Sequence, residues 1–139
     1  MVPPPRSVEG CPAAHESVER DELARCRFLG YVIKFGRWTI YHSGDTLWFD
    51  GLENLVKPYA IDVAFLPING NDPSRGVAGN MNAAEAAGFG KAIDAAFVIP
   101  HHYHMFTFNT ADPDTFATEA IRHNQHYVIL EPGEKWTCR

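Results

Sequence analysis

The chain has 139 residues, 45% hydrophobic and 21% charged, with seventeen acids against twelve bases for a net charge of −5. That is enough chain for one globular domain and too little for two of ordinary size. Nine Phe, five Tyr and three Trp exclude a disordered chain, and an acidic balance without a Lys/Arg run excludes a phosphate-backbone binder.

No stretch approaches the ~20 apolar residues that span a bilayer. The longest candidate, 93–100, is broken by Asp94. Cys11, Cys26 and Cys138 are odd in number and lack CxxC spacing, which points to a reduced setting rather than a disulfide framework. The N-terminus has neither a basic nor an apolar signal region. The expectation is a cytoplasmic protein with neither nucleic acid nor membrane as partner.

In chain order, residues 1–11 hold three consecutive prolines and read as an extended lead-in. LGYVIKF and WTIYHSG flank Gly36-Arg37 and predict a β-hairpin over 29–44. Leu52, Leu55 and Val56 predict a short helix within 48–57, stopped by Pro58. The apolar run 61–67 suits a strand covered on both faces. A Gly/Asn-rich loop follows. Asn82 with Glu85 then makes a capping box that predicts a helix over 83–93. Gly88 and Gly90 each cost that helix about 1 kcal/mol relative to alanine; small residues there would let it lie close on a sheet. Residues 95–100 read as a second buried strand. Asp112-Pro113 predicts a helix over 113–123, and HYVILE (126–131) a last strand. Strands alternating with helices give a layered α/β domain.

Three of the seven histidines fall in Pro100-His101-His102-Tyr103-His104, where a strand exits. Strand ends in α/β sheets are where ligands sit, and grouped imidazoles suit a divalent metal. The same spacing also suits a polar loop whose histidines meet water. Alternation would send His102 and His104 one way and His101 the other. Asp45, after Ser43-Gly44, reads either as a turn residue or as a carboxylate able to bridge two cations. His15, in PAAHE, lies in a proline-flanked loop.

Taken together, YHSGDT (41–46), AFLPINGN (64–71), GNMNAAE (79–85) and IPHHYHMF (99–106) resemble the metallo-β-lactamase superfamily. Within it they look most like the L-ascorbate-6-phosphate lactonase-like metal-dependent hydrolases. The resemblance runs from about Pro12 to Trp136. It implies His15, Asp45 and His102 as metal ligands, with Asp45 and His102 catalytic and Asp45 bridging two ions. His104, where relatives often carry an acid, is a further possible ligand, and His101 is the variable residue before the motif histidine. The implied cofactor is zinc or manganese, and the implied chemistry is attack by an activated water on a lactone, ester or phosphodiester of a small-molecule substrate.

The family's main metal motif, H-x-H-x-D-H, does not occur in the chain. Residues 12–139 are therefore expected to be the C-terminal half of an αββα sandwich. Such a chain would be weakly active or inactive alone, and completed by an N-terminal half or paired as a homo-oligomer through an uncovered sheet. The alternative is a non-catalytic half-domain that self-associates.

Overall fold

Two β-rich runs meet across Gly36, whose φ of +60° turns the chain tightly, and form the expected hairpin. In the computed structural model, which describes residues 6–138, it joins β2 (Leu29–Phe35) to β3 (Trp38–His42). With β1 (Arg6–Pro12), β4 (Val63–Pro67) and β5 (Phe97–His101) they make a five-stranded sheet in the order β1-β2-β3-β4-β5. The β1–β2 and β2–β3 pairs are antiparallel, whereas β3–β4 and β4–β5 are parallel. Hence β1, β3, β4 and β5 run the same way, and their C-terminal ends share one rim.

The expected lead-in is corrected in part. Residues 6–11 are extended, but they belong to a paired strand, in register from Arg6 opposite Phe35 to Pro12 opposite Leu29. Apart from Val8, the segment RSVEGCP carries little strand signal of its own, with Glu9 and Gly10 disfavoured in strands; the open edge of β2 supplies it. Residues 1–5 lie outside the described part.

The helices begin where their caps predict. The Asn82 side chain accepts from Glu85 N while the Glu85 carboxylate accepts from Asn82 N, closing the capping box of α2 (Ala83–Ala92). Asp112 accepts from Asp114 N, and Pro113 opens α3 (Pro113–Arg122). The short helix is narrower than expected: α1 covers Leu52–Val56, and Pro58 sits inside a following 3-10 turn, Lys57–Tyr59. Gly90 explains its own helix cost, since a Cβ there would stand 2.4 Å from Val98 Cγ2. Helix α2 is pressed directly on β5.

One sheet face carries Cys11, Val32, Tyr41, Ala64, Leu66 and Val98, all buried in a core with Leu52, Phe89 and Phe116. The opposite face carries Tyr31 and Phe35, which are exposed, with Ile33, Trp38, Ile40 and Phe65 half-buried. The C-terminal segment covers part of that face, with Trp136 edge-on to Phe97 at 5.3 Å.

The strand expected over 126–131 does not form. Tyr127 makes only an isolated parallel bridge with Val98. The next rung would need an N–H from residue 100, which is proline. Farther on, the Tyr103 hydroxyl replaces the ladder, donating to Leu130 O at 2.6 Å and accepting from Leu130 N at 3.2 Å.

Candidate active site

Asp45 is delivered by a turn that only glycine permits. Gly44 has φ +64°, and a Cβ on it would stand 2.7 Å from the Leu29 carbonyl oxygen. Ser43 N donates to Phe65 O at 3.1 Å, so the chain leaves β3 still tied to β4. The turn then lifts Asp45, half-buried, onto the shared rim.

Thr46 holds the next piece. Its buried hydroxyl accepts from Ala14 N at 2.9 Å, and Leu47 N donates to Ala14 O at 2.8 Å. These two bonds stitch the segment after β1 to the turn after β3, which brings His15 to the rim. The His15 ring lies edge-on to Phe28, with Nδ1 3.2 Å from Asn80 Oδ1.

His102 follows β5 directly, at a left-handed φ of +69°. Its Nε2 stands 4.0 Å from Asp45 Oδ2, across the end of β4, and its Nδ1 is buried without a hydrogen-bond partner. The alternation expected for this segment fails beyond His101, because His102 and His104 both adopt positive φ and the strand has ended. His104 therefore turns to Glu131, with Nδ1 3.5 Å from its Oε2, and not to Asp45. His101 lies on the sheet face away from the main core, where it stacks on His42 at 4.9 Å and its Nε2 is buried without a hydrogen-bond partner. Burial, and then the neighbouring His42 and His102, push the His101 pKa down to about 3. Burial also lowers that of His42, against the pull of Asp45.

The structure thus joins Asp45 and His102 as a pair. His15 shares their rim and is engaged with Asn80. Among the described residues, no group of three or more His, Cys, Asp or Glu stands close enough to hold a metal ion. Two donors of a tetrahedral zinc site lie about 3.4 Å apart. The 4.0 Å pair therefore fits one edge of a divalent ion's shell after a small rotation, and further donors would have to come from elsewhere.

The sequence reading assigns no role to Thr46, Asn69, Asn80 or Arg75, which hold the rim together, although the first three lie in segments that carry the family resemblance. Asn80 Nδ2 donates to Asn69 Oδ1 at 3.0 Å, and Asn69 Nδ2 to Asn109 Oδ1 at 2.8 Å. Arg75 donates to the Asn69 carbonyl. The density of Asn in the 69–82 loop was the available signal, but it reads equally as turn chemistry.

The Beta-lactamase superfamily domain matches residues 3–103. The chain belongs to that family. A UPF0173 metal-dependent hydrolase of Pyrococcus furiosus is 38% identical over 106 residues, which make up 76% of this chain and 44% of that protein. One from Caldivirga maquilingensis is 33% identical over 125 residues, 88% of this chain and 49% of its own length. This beta-lactamase superfamily chain therefore spans about half the length of the curated relatives it matches. Among solved structures, Igni18, a metallo hydrolase from Ignicoccus hospitalis, superposes with a TM-score of 0.71 at 28% identity, over 91% of this chain and 50% of that one. YhfI of Bacillus subtilis, a metallo-beta-lactamase fold protein, gives 0.70 at 18% identity over 98% and 51%. The mixed α/β architecture of this superfamily chain is thus the metallo-beta-lactamase fold, matched over about half of each neighbour.

No helix among the described residues is long and apolar enough to cross a membrane.

Proposed function

We propose that this chain is the second half of a metal-dependent hydrolase. The observation that carries the reading is the Asp45–His102 pair, 4.0 Å apart on a rim that also carries His15. The relatives' name, metal-dependent hydrolase, supports it. Asp45 and His102 would hold a divalent ion, zinc or manganese; His15, on the same rim, would have to draw closer than it stands here to serve as a third donor. The metal's chemistry when bound is Lewis acidity, which acidifies water and polarises the bond to be broken. Asp45, on the open side of its turn, is placed to orient that water. The Gly44 turn and the Thr46 hydroxyl keep the carboxylate fixed while the substrate is engaged. The substrate class is a small-molecule lactone, ester or phosphodiester, as in the ascorbate-6-phosphate lactonase-like branch, and the setting is the cytoplasm.

The chain alone is a poor catalyst under this reading, because it lacks H-x-H-x-D-H and the donors that motif would add. The test loads the 139-residue protein with zinc or manganese and assays lactone and phosphodiester substrates. It is assayed alone and mixed with a separately made first half bearing the missing motif. Little turnover alone, restored by the mixture and abolished by Asp45→Asn, is the expected result. Turnover by the lone chain near about 10 per second would overturn the half-site reading. A mixture that assembles but gains no metal-dependent turnover would overturn the hydrolase reading.

The exposed Tyr31 and Phe35 face favours a second reading, a non-catalytic half-domain that self-associates. An assembled but inactive mixture would support it.

A further inference from the structure

The rim carries a chain of side-chain hydrogen bonds whose direction is set at one end. Arg75 is half-buried and donor-only. Its Nη1 donates to the Asn69 carbonyl and stands 3.5 Å from Asn109 Oδ1, and its Nη2 donates to Thr110 O at 3.4 Å. A guanidinium beside Asn109 keeps that amide's oxygen, not its NH2, turned inward. Asn109 Oδ1 then accepts from Asn69 Nδ2 at 2.8 Å, which leaves Asn69 Oδ1 to accept from Asn80 Nδ2 at 3.0 Å. That in turn leaves Asn80 Oδ1 facing His15 Nδ1 at 3.2 Å. Asn80 is 0% exposed and Asn69 3%, so neither amide can turn over and repair the mismatch with water.

We infer that Arg75, Asn109, Asn69 and Asn80 form a one-way hydrogen-bond relay that holds His15 in its Nδ1–H tautomer, with the Nε2 lone pair free. An acceptor at Asn80 Oδ1 requires a proton on His15 Nδ1, and a neutral imidazole then has none on Nε2. The four residues are positioning residues: they act on the site through His15. Ring nitrogens are oriented for ligation by such partners, and here the orienting signal begins at a cation on the 73–75 turn. The relay also joins three separate segments: the loop after β1, the loop after β4 and the loop after β5. The inference deepens the reading of His15 as a rim donor, although the tautomer itself needs neither metal nor turnover.

The test is nitrogen-15 NMR of the histidine rings in metal-free full chain at slightly alkaline pH, with the His15 signals assigned by their loss in His15→Ala. The expected wild-type spectrum shows His15 as Nδ1–H. Asn80→Leu removes the acceptor, and Arg75→Met removes the donor-only end. Both should shift His15 toward Nε2–H, with the methyl spectrum of the core unchanged. If Asn80→Leu fails to fold, Arg75→Met and the wild type still decide. Wild-type His15 found as Nε2–H would overturn the relay, whatever the variants do. So would an Nδ1–H tautomer unaltered in a folded Arg75→Met. An Nδ1–H His15 in a protein whose metal affinity is indifferent to Asp45→Ala would instead leave the relay standing and count against the hydrolase reading alone.

Discussion

Gly90 of α2 lies against Val98 of β5 so closely that a Cβ on the glycine would stand 2.4 Å from the valine's Cγ2. Val98 is fully buried, and a β-branched side chain has little freedom to rotate away. Gly90→Ala gains about 1 kcal/mol of helix propensity. Overpacking against Val98 costs about 1–3 kcal/mol. The expected net change is destabilising, lowering the urea midpoint, and Val98→Ala in the same chain should recover part of the loss. A stabilised Gly90→Ala would show that α2 does not rest on β5 in this way.

The Gly44 turn should be equally intolerant, for a different reason. Both its φ of +64° and the Leu29 carbonyl 2.7 Å from a would-be Cβ oppose any side chain. Gly44→Ala should cost roughly 1–3 kcal/mol of stability. It should also weaken metal binding measured by calorimetry, because it displaces Asp45. Unchanged affinity in a folded variant would separate the turn from the site.

Tyr31 and Phe35 are 43% and 49% exposed on the part of the sheet face that the C-terminal segment leaves open. Covering such a face gains about 25 cal/mol per Å² of apolar surface removed from water. The isolated chain is expected to sediment as a dimer or larger species at micromolar concentration, and Tyr31→Lys with Phe35→Lys to sediment as a monomer with unchanged circular dichroism. A strictly monomeric, well-folded wild type would refute self-association.

The Cys11 thiol is buried, and burial, with Cys26 nearby, raises its pKa. A raised thiol pKa leaves less thiolate at a given pH, and thiolate is the reactive form. Iodoacetamide at pH 8 should therefore label half-buried Cys26 and Cys138 before Cys11, with Cys11 labelling rising as pH increases. Cys11 reacting first would contradict its placement under the sheet.

What could be read from the residues alone was local. The capping box at Asn82 and Glu85 and the Asp112-Pro113 start each place a helix within a few residues of their own position. The runs around Gly36 likewise contain both strands and the turn of a hairpin. The segment Ser43-Gly44-Asp45-Thr46 was legible as a turn carrying a carboxylate, because a left-handed φ calls for glycine wherever the chain goes next. The expected strand at 126–131 failed because a strand is a property of two partners, and Pro100 denies it the next hydrogen bond. Residues 6–12 became a strand for the converse reason, with β2 offering an edge that their own composition could not foretell. Nor could spacing tell that His104 would turn to Glu131, since alternation ends where backbone φ changes sign at His102. The meeting of Asp45 with His102, and the Asn80 amide set against His15, depend on strands far apart in sequence ending on one rim. Their separations are fixed by sheet order and by buried hydrogen bonds, interactions that exist only once the chain has closed on itself.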